Sequence, residues 1–109
     1  MGLLVSQIRL IYLQHQRLDL EYKIQLITQT KMSLSASVSD LVQVGNDLDP
    51  ESPTTKLLQQ RQAKLKALDA KLDQQMAMYQ SRLKMIDAET ESAKAMLDKN
   101  IQSSFSYGR

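Results

Sequence analysis

Few side chains in this sequence could carry acid–base or metal chemistry. His15 is the only histidine among 109 residues, and a lone histidine in a helical pattern is expected to be a half-buried seam residue rather than a ligand. The chain has no cysteine, which excludes disulfides, thiolate metal sites and cysteine nucleophiles. These residue types therefore predict no metal site and no covalent catalysis.

Carboxylates occur in two pairs that would share a helix face. Asp69 with Asp73, and Asp87 with Glu91, are each four residues apart, which places their side chains next to each other on a helix. Basic neighbours at helical spacing, such as Lys66 beside Asp69, are typical of surface ion pairs. We expect these carboxylates to be solvated and predict no catalytic residue.

The acidic segment in the middle of the chain follows the first half of a calcium-binding loop. Asp47, Asp49 and Glu51 have the required alternation, but Pro50 interrupts the loop and Leu58 replaces the bidentate glutamate. None of the three glycines belongs to a phosphate-binding loop. We expect no cofactor and no enzymatic activity.

The composition disfavours several kinds of partner. One Phe and no Trp leave little bulky material for a globular core, so we expect one small domain. Acids and bases are interspersed and give a formal net charge of +2, which disfavours nucleic-acid binding. The apolar segment 3–13 is too short to span a bilayer, and membrane contact through it is also disfavoured. Without a secretory signal peptide, we expect a cytoplasmic protein or export by a signal-less route.

These residues are carried on two long helices, and the predicted fold is all-α, an antiparallel coiled-coil hairpin. We place helix 1 at about 4–43, the turn at about 44–52, helix 2 at about 53–103 and a short tail at 104–109. A short connection between the helices excludes a parallel pair.

The helix boundaries rest on local signals. Gly45 supplies a C-terminal stop, and helix 2 starts either with Ser52 before Pro53 or with Asp49 before Pro50. Serine and threonine alternate with apolar residues over 28–39, a pattern that also fits a strand, so we expect the weakest part of helix 1 there.

The hairpin seam is predicted from apolar residues that recur with steps of three and four. Its members are Leu10, Leu13, Leu20, Ile24, Ile27 and Leu34 on helix 1, and Leu65, Leu68, Leu72, Met76, Tyr79, Leu83 and Ile86 on helix 2. Two successive steps of four at Leu72 predict a stutter. A turn centred near residue 48 pairs residues whose numbers sum to roughly 96, which sets Ile24 opposite Leu72 and stacks Arg17 on Tyr79.

Two further apolar stripes are predicted to remain uncovered and to form an assembly interface. On helix 2, residues beyond about 95 would have no partner on helix 1, and that stripe consists of Ala93, Leu97, Ile101 and Phe105. On helix 1, a second stripe faces away from the seam and consists of Leu4, Ile8, Ile11, His15, Leu18 and Tyr22. An apolar face of this length indicates a partner.

The sequence resembles one known class of helical hairpin. From Asp47 to Phe105 it has an Asp-Pro-Glu-Ser-Pro turn, then Met-Tyr-Gln-Ser-Arg-Leu-Lys, then Asn-Ile-Gln-Ser-Ser-Phe, and it is similar there to the needle subunits of type III secretion systems. Those subunits are small hairpins with a proline-bearing turn that polymerise into hollow tubes. The whole chain also resembles short bacterial proteins of unknown role.

Together these features predict a non-enzymatic structural protein that self-assembles through helix packing, with a filament or tube as one form of the assembly. The alternative is a coiled-coil adaptor or secretion chaperone that binds another protein's helix. The first expected partner is therefore another copy of this chain, and the second is a different helical protein.

Overall fold

The computed structural model describes residues 2–46 and 51–107, with the side chains of Ser106 and Tyr107 left out. Two helices account for this part of the chain, α1 from Gly2–Asn46 and α2 from Pro53–Tyr107. They form the predicted all-α antiparallel hairpin. The helix α1 begins two residues before its predicted start and ends three residues after its predicted end. The helix α2 begins at the predicted residue and ends four residues later than predicted, so 104–107 is helix and not tail.

The start of α2 follows one of the two predicted signals. The backbone N–H of Thr55 donates to Ser52 Oγ at 3.2 Å, and Lys56 N–H donates to the Ser52 carbonyl oxygen at 3.3 Å. Ser52 is therefore the N-cap, and Pro53 occupies the first helical position, where its missing N–H costs nothing. The competing start at Asp49 and Pro50 lies outside the described residues.

The end of α1 does not follow its predicted signal. Gly45 is helical and has a negative φ, and the helix continues through Asn46. A glycine ends a helix only when it adopts the left-handed conformation, and without that it is merely a weak helix former. The predicted acidic turn over 47–50 lies outside the described residues.

The serine- and threonine-rich stretch 28–39 is helical. Its side chains bond back to the preceding turn: Thr28 Oγ1 donates to the Ile24 carbonyl oxygen at 2.9 Å, and Ser37 Oγ donates to that of Ser33 at 3.1 Å. Such bonds satisfy hydroxyls inside a helix that would otherwise favour a turn. Burial of Leu34 within this stretch supplies the packing that local propensity lacks.

The chain divides into two compact units. The terminal unit comprises Met1–Lys23 and Tyr79–Arg109, and the central unit comprises Ile24–Met78. The terminal unit has a continuous core in which Leu13 and Ala93 are only 2% and 1% exposed. The members of that core are Leu10, Leu13, Leu20, Tyr79, Leu83, Ile86 and Ala93.

In the central unit, Ile27 and Leu34 of α1 are buried. The α2 positions that are buried or half-buried there are Thr55, Leu58, Gln62, Leu65, Asp69, Leu72, Gln75 and Met76. Apart from Gln75, which adjoins Met76, these positions are spaced alternately by three and four residues. The predicted stutter is therefore wrong, because Asp69 occupies the seam position that had been assigned to Leu68, and Gln62 continues the same spacing. Leu68 is 43% exposed, and its place in the predicted seam is corrected accordingly.

The register also differs from the prediction. In the terminal unit, Arg17 Nη1 contacts Asp87 Oδ1 at 2.5 Å, eight residues beyond its predicted partner Tyr79. The side-chain amide of Asn100 donates to Ser6 Oγ at 2.9 Å, ten residues beyond the position that the predicted register pairs with Ser6.

The central unit shows the same displacement by itself. Lys31 Nζ lies 3.7 Å from Asp69 Oδ1 and also contacts Asp73, four and eight residues beyond the predicted partner Leu65. A heptad seam stays apolar when the partner slides by seven residues, so the alternative registers are about one heptad apart. The prediction fixed the turn centre at residue 48 and therefore selected the wrong register of the two helices.

Candidate interaction surface

The first 22 residues of α1 expose a continuous apolar face. Seven large side chains of this segment are each 55% to 63% exposed, and we call them the α1 outer face: Leu4, Val5, Ile8, Ile11, Tyr12, Leu18 and Tyr22. At 100° per residue, the midline of this face lies about 150° around α1 from the buried seam positions. It is therefore turned away from α2 of the same unit.

Five of these residues were predicted from the sequence as part of an assembly stripe, and Leu4, Ile8, Ile11, Leu18 and Tyr22 are all exposed. Val5 and Tyr12 were missed. Their spacing of seven residues, one position after Leu4 and Ile11, would have indicated that the stripe is wider than two heptad positions.

Formal charge is sparse over residues 2–16 of α1, which precede the charged residues Arg17, Asp19, Glu21 and Lys23. From Gly2 to Gln16 the only residue with a formal charge is Arg9. A hairpin helix normally carries polar residues on its solvent side, whereas a helix that is apolar all round is typical of a buried element. Residues 2–16 of α1 lie between these two patterns, with a buried seam on one side, the α1 outer face on the other and uncharged polar side chains such as Gln7 and Gln14 between them.

His15 lies within the α1 outer face and is exposed, so the expectation of a half-buried seam residue is wrong. Asp19, one helical turn further on, contacts Lys23 at 3.0 Å. The neighbouring Tyr12 hydroxyl accepts a hydrogen bond from Gln16 Nε2 at 2.7 Å. The imidazole of His15 is therefore surrounded on the helix by the apolar side chains of the α1 outer face. The carboxylate one turn away, that of Asp19, is already paired with Lys23.

A charged cluster flanks the seam where the α1 outer face ends. Arg17 Nε donates to Glu21 Oε1 at 2.9 Å, and Arg17 also contacts Asp87. The hydrogen bond to Glu21 and the charge of Asp87 raise the pKa of the Arg17 guanidinium above its ordinary value. The predicted stacking on Tyr79 is wrong: the cation over that ring is Lys23, whose Nζ lies 5.6 Å from the ring centroid.

Two carboxylates of the predicted pairs also contact basic residues of the other helix. Asp69 and Asp87 were expected beside lysines of their own helix, but they contact Lys31 and Arg17 of α1. These carboxylates therefore serve to bridge the two helices. Over residues 2–46 and 51–107, no three His, Asp or Glu side chains come close enough together to hold a metal ion.

The α2 half of the predicted assembly interface is corrected by the structure. Ala93 belongs to the core of the terminal unit, and Leu97 and Ile101 are half-buried. Only Phe105 is open, at 72% exposed. The register explains the difference, because Asn100 of α2 lies beside Ser6 of α1 instead of projecting past the end of that helix.

The solvent side of α2 in the terminal unit has a different character. Met85 and Met96 are 61% and 51% exposed, but they do not form a contiguous face: Met85 lines an open groove beside the seam together with Leu20, Ile86 and charged residues such as Arg82 and Glu89. Between Tyr79 and Tyr107, eight residues are charged. The scattered apolar side chains of this helix are ordinary for a solvated surface, whereas the contiguous α1 outer face is not.

No protein-family model, characterised protein or solved structure with which we compared the chain matches it. Over the residues that the structure describes, neither helix contains a stretch long and apolar enough to cross a membrane. The α1 outer face is therefore the feature of the described chain from which a function can be argued.

Proposed function

We propose that the protein is a structural subunit that self-assembles through the α1 outer face. The observation that carries the proposal is the contiguous exposure of seven large apolar side chains on one side of a helix whose other side is already buried. Covering a fully exposed side chain of this size contributes about 1.5–3 kcal/mol. Side chains that are more than half exposed therefore supply a substantial driving force for association.

Self-association is favoured over selective capture of a different protein by the charge pattern. Specific hetero-complexes commonly use complementary charges around an apolar centre to choose a partner. None of the seven side chains of the α1 outer face is charged, and beside it Asp19 and Glu21 are paired with Lys23 and Arg17, so this surface has little net charge with which to reject its own copy. A neutral apolar face meets an identical face without like-charge repulsion.

The filament or tube form of the proposal rests on the resemblance to type III secretion needle subunits. A face that pairs only with its own copy closes a dimer, whereas a filament also requires a second contact between different surfaces. Negative-stain microscopy distinguishes filaments from discrete oligomers.

Sedimentation velocity of the purified full chain tests the self-assembly. At tens of micromolar we expect the wild type to sediment as an oligomer and Ile8→Glu to sediment as a monomer, because a carboxylate in the middle of the α1 outer face would have to be desolvated on association. Met85→Glu is the matched control, since Met85 has the same exposure on α2, and it should assemble like the wild type.

A monomeric wild type would contradict the proposal. Equal loss of assembly in Ile8→Glu and Met85→Glu would contradict the assignment of the surface. If the wild type is monomeric but forms a defined complex with another helical protein, the coiled-coil adaptor or secretion chaperone becomes the supported function.

A further inference from the structure

We infer that two copies of this chain pack their α1 outer faces against each other in antiparallel orientation, about a two-fold axis at the level of Leu13. This inference rests on the proposed self-assembly and specifies its geometry. The partner is a second copy of α1, and the contact is one helix against another along about 27 Å, the length from Leu4 to Tyr22.

The spacing of the face is symmetric about its centre. Its two central rows have steps of four, three, four, three and four, and they consist of Leu4, Ile8, Ile11, His15, Leu18 and Tyr22. Reading this series backwards gives the same steps. An antiparallel copy therefore sets Leu4 opposite Tyr22, Ile8 opposite Leu18 and Ile11 opposite His15, and every large side chain meets a gap of the other copy as in a coiled-coil seam.

The central layers distinguish this arrangement from a parallel pair. A parallel pair sets each residue against itself, so it stacks His15 on His15 in the middle of an apolar contact. The antiparallel pair combines His15 with Ile11, whose apolar side chain covers the imidazole ring and leaves its nitrogens directed to the rim.

The charge beside the face that bears on the orientation is Arg9, because Asp19 and Glu21 are already paired with Lys23 and Arg17 of their own helix. Parallel packing sets the two copies of Arg9 at the same level. Antiparallel packing sets Arg9 at the level of Arg17, whose charge is balanced by Glu21 and Asp87. Like charges that are brought together without a counter-charge oppose association, so the antiparallel pair is favoured.

Burial on both sides would also account for the composition of α1. In the pair, the terminal part of α1 has α2 of its own chain on one side and α1 of the other copy on the opposite side. The charged α2 helices then remain in water. This arrangement leaves Arg9 as the one formal charge to be placed at the rim from Gly2 to Gln16, while Arg17, Asp19 and Glu21 flank the end of the face in ion pairs of their own chain.

Engineered cysteines test the orientation, because the natural chain has none. We would prepare full-length Leu4→Cys and Tyr22→Cys, both at exposed positions, and oxidise them separately and as an equimolar mixture. Intact mass separates the mixed disulfide dimer from the two symmetric ones. Glu91→Cys, on the exposed surface of α2, measures background oxidation between colliding chains.

We expect the mixed dimer of Leu4→Cys with Tyr22→Cys to form at least tenfold faster than either symmetric dimer, since a disulfide requires Cα atoms within about 7 Å. Faster symmetric dimers would show a parallel pair and overturn the inference while leaving self-assembly intact. Background rates for all combinations, with an oligomer in sedimentation, would place assembly on another surface. Background rates with a monomeric wild type would overturn the proposed function as well.

Discussion

At the scale of the residue, the most informative side chain is Lys31. It occupies a seam position of α1 in the central unit, where its ammonium group contacts Asp69 and Asp73. The side chain is 31% exposed, so the aliphatic stem packs on the seam while the charge remains near water. A seam cation with two carboxylates selects the register, because sliding α2 by one heptad would separate these charges.

Reversing this charge provides a direct test. We expect Lys31→Glu to lower the free energy of unfolding by about 1 kcal/mol, because it replaces two partly exposed ion pairs by repulsion among three carboxylates. The loss should shrink in high salt. Urea unfolding followed by circular dichroism measures it, and Lys99→Glu, at an exposed position of α2, is the control.

The double variant Lys31→Glu with Asp73→Lys should recover most of the lost stability. If Lys31→Glu unfolds at the same urea concentration as Lys99→Glu at low salt, the seam ion pairs do not stabilise the hairpin. A destabilisation that salt does not reduce would point to lost packing of the Lys31 stem.

At the scale of the element, the sequence predicted the two helices well because the signals are local. The run without Gly or Pro after Pro53 and the cap at Ser52 determine α2, and both are found. The C-terminal ends were predicted too early, since Gly45 and the small polar residues after Ile101 permit a helix to end without forcing it to do so. Long-range packing decides such ends.

The register of the two helices was not predictable from the local sequence pattern. Leu68 is apolar and Asp69 is charged, so a pattern of hydrophobicity alone assigns Leu68 to the seam. The structure places Asp69 there because Lys31 of α1 faces it. Two polar residues that satisfy each other across a seam carry no hydrophobic signal, and only the pairing of the helices reveals them.

The register can be measured by cross-linking within one chain. Ser6 and Asn100 are in hydrogen-bond contact, so we expect Ser6→Cys with Asn100→Cys to form an intramolecular cross-link rapidly at high dilution. The predicted register would instead bring Ser6 close to Thr90. Ser6→Cys with Thr90→Cys is therefore the matched control.

Slow cross-linking of the 6/100 pair together with fast cross-linking of the 6/90 pair would contradict the observed register. A short bifunctional thiol reagent is preferable to a disulfide, because side chains that touch do not guarantee disulfide geometry. The mass of the product distinguishes cross-links within a chain from those between chains.

At the scale of the whole molecule, the proposed self-assembly depends on the α1 outer face. The sequence predicted the exposed stripe of α1 correctly in position, because the heptad of α1 is unambiguous over its first 22 residues. It predicted a second stripe on α2 wrongly, because Ala93, Leu97 and Ile101 were left without partners only by the mistaken register. The described residues of the terminal unit therefore have one contiguous exposed apolar face, the α1 outer face, where two stripes had been expected.

The accessibility of the α1 outer face at different protein concentrations is a direct test of self-assembly through that face. We would label single cysteines at Ile8 and Met85 with a maleimide, in full-length chains that are otherwise unchanged. Both side chains are exposed to a similar degree within one chain, at 58% and 61%. At low concentration the two positions should therefore react at similar rates.

At tens of micromolar, Ile8→Cys should react at least tenfold more slowly than Met85→Cys, because assembly covers the α1 outer face while the exposed side chain of Met85 on α2 stays in water. Equal rates for the two positions at every concentration, up to the highest that can be reached, would contradict self-assembly through the α1 outer face.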